Sequence, residues 1–595
     1  MQNYFNTPQL KQAFDFAEYT GCHIFLTGKA GTGKTTFLHH FKKASSKRMV
    51  VVAPTGVAAI NAGGVTIHSF FQLPFGPHLP ESIYATHPTG SVQKLSQLKK
   101  DIIRTLELLI IDEISMVRAD LLDAIDSTLR RFKDRFLPFG GVQLLMIGDL
   151  HQLPPIVPKK EWQLLQEYYD TLFFYGSRSL QQTSYTSIEL THIFRQNDDH
   201  FIHLLNNIRD KKIDAETLEK LNERYDPQFN PSDDAGYITL TTHNRQAQTI
   251  NHAQLDTLST EEYIKEAEIA GTFPEHAYPT DAKLTLKIGA QVMFVKNDTS
   301  AEKLFYNGKI GKVMDVKNDC IYVKCPQDVE NIPVEQLEWQ NIQYTIDEKA
   351  ETIKEKVIGT FTQFPLKLAW AITIHKSQGL TFEKAIIDAN AAFAHGQVYV
   401  ALSRCKTLDG IVLISPISKN CIKHDQGVLQ FMNNIENDIP DDNCFNKCKL
   451  DYQLSLLKKL FNFKPIEQHM HAMLRIIQKN ITSIPPELVE IVVQTNELIT
   501  DEIIEISYRF EKQLDRLIAK NSNIAENELL QERIQKGCVY FSEKAETIIV
   551  NFLENIEIDI KNKKLGKSLK KHLSNLEKDV STKLVDLRKN QSINN

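Results

Sequence analysis

The 595-residue sequence predicts an α/β protein built on parallel sheets with helices on both faces, followed by an all-helical C-terminal region. Three observations carry that prediction. A glycine-rich loop, Gly28-Lys29-Ala30-Gly31-Thr32-Gly33-Lys34-Thr35, lies between an apolar strand pattern and a helix start. Four apolar runs suited to buried strands, each followed by a turn or helix pattern, fall before about residue 150. Beyond about residue 440 strand-like pieces stop and helical periodicity takes over.

The first run, His23-Ile24-Phe25-Leu26-Thr27, delivers the chain to the loop. The loop glycines, Gly28, Gly31 and Gly33, let backbone N–H groups around Ala30 and Thr32 face a polyphosphate, and the helix start after Gly33 favours negative charge. Lys34 is expected to reach the β- and γ-phosphates of a nucleoside triphosphate, and the Thr35 hydroxyl to bind Mg2+; Thr36 completes the loop. Upstream, Gln9 opens a helix pattern from Leu10 to Tyr19, and its amide could read an adenine edge.

The second run, Met49 to Ala53, leads through Pro54 and Thr55 into a helix pattern. The stretch Gly63 to Phe71 mixes glycines with Thr66, His68, Ser69, Phe70 and Phe71. Such a surface can approach a phosphodiester backbone and stack a base, although Phe70 and Phe71 read equally well as core-facing. Residues 72–100 are Pro- and Gly-rich and then polar, the composition of an insertion.

The third run, Leu108 to Ile111, brings two adjacent carboxylates to its C-terminal end. Asp112 can hold Mg2+ opposite Thr35, and Glu113 can deprotonate an attacking water. The fourth run, Gln143 to Ile147, ends in Gly148-Asp149-Leu150-His151-Gln152-Leu153-Pro154-Pro155. Gln152 lies where a neutral side chain can sense a γ-phosphate.

With these stretches in order, the chain resembles superfamily 1 helicases of the B branch, and among them the PIF-type DNA helicases. The resemblance runs through Gly28–Thr36, Pro54–Phe71, Ile111–Met116, Gly148–Pro155, Leu190–Arg195, Ala369–Thr381 and Gly396–Arg404. A family signature falls between the second and third nucleotide motifs: Asp120-Leu121-Leu122-Asp123, Leu129-Arg130 and Pro138 to Gln143. The resemblance covers about residues 1–414.

It implies two RecA-like domains with nucleotide between them and single-stranded DNA across their top. The first domain is expected over 1–186, with a wedge subdomain at 72–100. The second is expected over 187–300 and 360–435, with an SH3-like insertion at 301–359. Arg195 and Arg404 are expected to reach the γ-phosphate across the cleft, where an arginine fork can clamp two oxygens. Gln378 and Gly379 are expected near the nucleotide. Thr55, Thr242, Asn244, Thr373, His375 and Lys376 are expected to join Thr66, His68, Ser69 and Phe70 in contacting DNA. Movement 5′ to 3′ on DNA, roles in repair, recombination or replication, and a monomeric state rest on the resemblance alone.

Composition bounds the rest. The net charge of −5 requires any nucleic-acid site to be a local basic groove. No apolar run is long enough to span a membrane, and Met1-Gln2-Asn3-Tyr4 lacks a signal-peptide layout. The eight cysteines are scattered, and the close pairs Cys320/Cys325 and Cys444/Cys448 lack zinc-site company. A cytoplasmic protein with reduced thiols is expected. The region 440–595 matches no recognised motif. Its Lys-rich stretch from Lys561 to Lys589 reads first as a solvated helix face. Two rival activities stand beside this one: an ATP-gated single-strand clamp that does not separate strands, and a small-molecule P-loop kinase, against which two trans-cleft arginines on a second sheet domain argue.

Overall fold

The structure is a computed structural model, describing residues 7–591 except 81–94, 197, 232–234, 299, 301, 318, 327, 348–351, 390–393, 437–439, 521–523, 525 and 561. The chain forms two compact units, residues 1–18 with 22–440, and residues 19–21 with 441–595.

In the larger unit the apolar runs of the N-terminal half form one six-stranded sheet. Its strands are β1 (His23–Gly28), β2 (Met49–Ala53), β3 (Val65–Thr66), β4 (Leu108–Ile111), β5 (Gln143–Ile147) and β6 (Tyr185–Leu190). They are ordered β3-β2-β4-β5-β1-β6, and every pairing is parallel. Val50, Val51 and Val52, like Leu108 to Ile111, have no exposed surface. Near-continuous apolar strands suit a sheet buried on both faces, and each buried aliphatic side chain is worth about 1.5–3 kcal/mol. Asp112 therefore leaves a strand separated from β1 by β5. In a sheet of this kind the C-terminal strand ends form the ligand crevice, which is where the phosphate loop, Asp112, Glu113 and Gly148 emerge.

A second parallel sheet, of four strands, orders Ala371–Thr373, Ile238–Thr241, Ala385–Asp388 and Ile411–Ser415. Between its first two strands in sequence lies a β-rich insertion. A five-stranded antiparallel sheet runs Ile332–Val334, Ile321–Lys324, Ile310–Val316, Gln291–Phe294, Leu366–Leu368. The long hairpin of Leu337–Asp347 and Thr352–Gln363 joins Glu268–Gly271.

Two expected boundaries shift. Residues 301–359 are narrower than the inserted sheet, because Gln291–Phe294 and Leu366–Leu368 pair with each other from outside that range. The boundary at 186/187 cuts β6, whose Tyr185 to Leu190 all pair with β1. Of the expected wedge at 72–100, residues 81–94 lie outside the described residues.

The smaller unit is helical among its described residues, with a continuous apolar core from Phe461 to Leu587. Its helices are Asp442–Leu460, Lys464–Lys479, a run from Pro486 to Lys520, another from Glu528 to Asn555, and Lys563–Lys589. Both long runs contain one widened π-helical turn, at Thr500–Ile504 and Ala545–Val550. No helix of the described residues is long and apolar enough to cross a membrane.

Candidate functional site: a cleft between two parallel sheets

The phosphate loop is built as its glycines require. Gly28, Gly31 and Gly33 have φ of 153°, 85° and 84°, conformations that other residues rarely adopt. Gly31 is also crowded: a Cβ there would lie 2.5 Å from the Arg195 Cβ. The Phe194 N–H donates to the Gly31 carbonyl at 2.9 Å. Lys34 Nζ donates to the carbonyls of Gly28 (2.6 Å) and Lys29 (3.0 Å). Burial holds the Lys34 pKa below the usual range, while Asp149 and Glu113 pull it upward.

Two carboxylates stand opposite. Asp112 is buried, and burial, then the charge of Glu113, pushes its pKa up to about 7. Burial also raises the pKa of Glu113 against the pull of Lys34 and Arg404. Glu113 has φ 52°, a left-handed conformation costing about 1–3 kcal/mol for a non-glycine residue. Strain of this kind persists where the surroundings dictate it, and here the 3-10 turn Ile114–Met116 begins directly after.

The second sheet contributes the other wall. Gln378 Nε2 donates to Glu113 Oε2 at 3.0 Å and reaches Gln152 Oε1 at 3.5 Å. Gln152 Nε2 in turn donates to Asp149 Oδ2 at 3.0 Å. Arg404 is buried, donating to the Val400 carbonyl (Nε, 3.0 Å), Ser403 Oγ (Nη2, 3.0 Å) and the Ser377 carbonyl (Nη1, 3.5 Å). Arg195 Nη1 donates to the Ser403 carbonyl at 3.4 Å. Burial, then the charge of Arg404, lowers the Arg195 pKa to about 9. Neither arginine forms an ion pair with a carboxylate among the described residues. Two desolvated guanidiniums held together on neutral acceptors are an electrostatic deficit that a polyphosphate fits.

These groups line one cleft of about 1150 Å³. Its wall includes Ala30 to Thr36, Asp112, Glu113, Gln152, Arg195, Gln378, Gly379 and Arg404. It also includes Thr55, Thr242, Asn244, Thr373, His375 and Lys376, so the nucleotide and DNA candidates share a single space. Several of these hydroxyls are already engaged locally: Thr55 Oγ1 accepts from the Ala58 N–H at 3.2 Å, and Thr373 Oγ1 from the Lys376 N–H at 3.4 Å.

Other candidates stand elsewhere. Gln9, Gly28, Thr66, His68 and Ser69 are not part of the cleft wall. Gln9 Nε2 donates to Thr191 Oγ1 at 3.4 Å, and Thr66 Oγ1 caps the short helix Ile67–Phe71 by accepting from the Ser69 N–H. Phe70 is corrected. It is 4% exposed and packs in the core against Phe71 and Tyr344, with ring centroids 4.8 and 6.2 Å away, because the helix turns that ring inward. Phe75, close by in sequence, is exposed and stacked on His68 at 4.7 Å.

Three further residues escaped the sequence. Tyr399 Oη accepts the Ala30 N–H at 3.1 Å, joining the second sheet's side to the phosphate loop. Arg209, buried, lies 3.3 Å from Glu189, 3.5 Å from Asp210 and 3.8 Å from Asp149. Burial pushes the Asp149 pKa up, but Arg209 and Lys34 outweigh it and hold the carboxyl below its usual value. Gly396 (φ 74°) lies against the backbone of His151 and Gln152, where a Cβ would come within 2.3 Å of the Gln152 carbonyl oxygen.

The donor set suits a hard divalent cation. The Thr35 hydroxyl and the Asp112 carboxylate line the cleft beside the phosphate loop, and Mg2+ takes one or two protein oxygens together with substrate phosphates. No cluster of three His, Cys, Asp or Glu residues able to hold a metal occurs among the described residues.

Comparison with known proteins places this geometry. Residues 10–219 match the family model described as PIF1-like helicase, and residues 444–594 match one described as DNA helicase, middle domain. The ATP-dependent DNA helicase Pif1 of Bdellovibrio bacteriovorus is 32% identical over 440 residues, covering 72% of this chain and 92% of that protein. Pif1 from Bacteroides sp in complex with ADP-AlF4 is 42% identical, with a TM-score of 0.67, covering 72% of this chain and 97% of that one. Bacteroides Pif1 bound to single-stranded DNA is also 42% identical, with a TM-score of 0.52, covering 73% and 98%.

Proposed function

The chain belongs to the PIF1-like helicase family, and from that premise we propose that it is an ATP-dependent DNA helicase that translocates 5′ to 3′ on single-stranded DNA. The observation that carries the reading is the shared cleft. Lys34 and Glu113 from one sheet, Gln378 and Arg404 from the other, and the polar groups of Thr373, His375 and Lys376 line the same space.

The chemistry follows from the residues. Lys34 exchanges its loop carbonyls for phosphate oxygens. Thr35 and Asp112 would hold Mg2+, which neutralises phosphate charge when bound. Glu113, its basicity raised by burial and its carboxylate oriented by Gln378, takes the proton of the attacking water. Arg195 and Arg404 offer charge to the γ-phosphate from the far wall. The ATP-bearing cleft is thereby drawn together, and hydrolysis releases it, so grips on DNA alternate. The same reading includes two RecA-like domains, an SH3-like character for the β insertion, a monomeric protein on single strands and junctions, and work in repair, recombination or replication. It also includes a cytoplasmic location, which suits cysteines that form no disulfide among the described residues.

The test is ATP hydrolysis and strand separation on duplexes with a 5′ or a 3′ single-stranded tail. Unwinding of the 5′-tailed substrate alone is expected. Unwinding from the 3′ tail alone would overturn the polarity, and DNA-stimulated ATPase without any unwinding would favour a clamp.

A further inference from the structure

The smaller unit carries one surface whose charge its fold does not explain. Between residues 563 and 576 the sequence has five lysines and no carboxylate. Leu565, Leu569 and Leu576 face the core, and Lys563, Lys564, Lys567, Lys570 and Lys571 are exposed. None of the five has a carboxylate partner among the described residues. The helix Lys464–Lys479 packs alongside, with His469 Nε2 3.1 Å from Asp579 Oδ2 and its ring 5.8 Å from that of His572. That helix adds exposed Arg475 and Lys479, and from residue 468 to 486 the chain again has no carboxylate. Cations of both helices act on His572: burial first, then the charges of His469, Lys571 and Arg475, holds its pKa below the usual value.

This arrangement works against the helix that bears it. Lys563/Lys567 and Lys567/Lys571 are like charges four residues apart, and Lys564/Lys567 and Lys567/Lys570 three apart, spacings at which equal charges repel. Lys563 and Lys564 stand in the first turn, where the helix dipole disfavours cations and where this helix has no acidic residue. A chain of net charge −5 has acidic residues enough to intersperse. A solvated face would be expected to use them.

We propose that the face formed by Lys563, Lys567, Lys570, Lys571, Arg475 and Lys479 binds the phosphodiester backbone of duplex DNA. The partner is a polyanion because only a polyanion relieves repulsion among several adjacent cations at once. It is duplex DNA because residues 464–483 and 563–576 contain no Phe, Tyr or Trp: apart from imidazoles the face lacks the large aromatic platforms on which unpaired bases stack, while a duplex presents phosphates and keeps its bases inside. This site is separate from the motor cleft but rests on the reading that the chain works on DNA.

The experiment uses the full chain and a blunt duplex of about 30 base pairs, long enough to offer every cation of the face a phosphate, with affinity measured against KCl concentration. The variant replaces Lys563, Lys567, Lys570 and Lys571 with Gln. It should bind the duplex at least about tenfold more weakly at low salt, with a salt slope shallower by up to about 3.6, roughly 0.9 for each of four phosphates no longer neutralised. Its thermal midpoint should be unchanged or higher, since repulsion is removed, and single-strand-stimulated ATPase should be retained. The matching Arg variant should bind like wild type. Equal duplex affinity and slope in wild type and the Gln variant would overturn the proposal, as would a wild-type chain that does not bind blunt duplex. A wild-type chain without single-strand-stimulated ATPase would instead count against the helicase reading.

Discussion

The cleft and the helical unit use charge in opposite ways. In the cleft, charged groups are buried and crowded: Arg404 is 1% exposed, and Asp112 and Glu113 have pKa values raised by burial. The helical unit keeps its core apolar from Phe461 to Leu587, and no charged residue is among its fully buried described residues. There, ordinary pairs such as Lys544–Glu502 and Arg588–Glu546 follow the expected pattern. The difference separates two kinds of function. A buried, strained charge can act on one substrate atom at a fixed position, which catalysis requires. A band of solvent-facing charge can hold a polymer in many registers, which translocation tolerates.

If catalysis belongs to the cleft, its buried groups should give the largest effects. Glu113→Gln should bind ATP and DNA yet lose turnover by about 10²–10⁴-fold, the usual worth of a positioned base. Steady-state hydrolysis with nucleotide binding measured alongside checks this, and near-normal turnover would remove Glu113 as the base. Gln378→Ala should cost less, about tenfold in turnover with ATP affinity retained, because it orients Glu113 without contacting the water. An unchanged rate would leave the 3.0 Å bond to Glu113 without a role.

Smaller effects sharpen the contrast from the other side. A chain ending after Pro440 should keep single-strand-stimulated ATPase within a few-fold while losing affinity for blunt duplex. A folded truncation with no ATPase would make the helical unit part of the motor. The smallest effect concerns pH. The Asp112 pKa is raised to about 7 in the folded protein from about 4 in an unfolded chain. The folded state therefore holds its proton longer, and stability from this group is lost as pH rises from about 4 through 7. Without metal or nucleotide, Asp112→Asn should melt higher than wild type at pH 8, and this difference should shrink toward pH 5. A pH-independent difference would contradict the burial argument.

What could be read from the sequence was local. The phosphate loop, the Asp112–Glu113 pair and Gln152 are contiguous strings at strand ends, so pattern alone located them. Phe70 stayed open between a DNA contact and the core because period-based reading does not settle the facing of residues in so short an element; in the fold Ile67, Phe70 and Phe71 all turn inward. Tyr399 and Arg209 were missed because their partners, Ala30 in one case and Asp149 with Glu189 in the other, are brought to them by folding and leave no spacing signal. The inserted sheet was drawn too narrow for the same reason: Val292 pairs with Leu368 across 76 residues. The lysine-rich tail was visible as composition, but only the exposed set against Arg475 turns a charge run into a face.

The central claim is that the cleft couples nucleotide to DNA through groups arriving from the second sheet. Single-stranded DNA affinity, measured with and without a non-hydrolysable ATP analogue in wild type and Arg404→Ala, tests it most directly. The account predicts that the analogue changes DNA affinity in wild type but not in the variant, while the variant still binds nucleotide, loses turnover by up to about 10³-fold, and is rescued little by Arg404→Lys. An Arg404→Ala chain that hydrolyses ATP normally and keeps the nucleotide-dependent change in DNA affinity would contradict it.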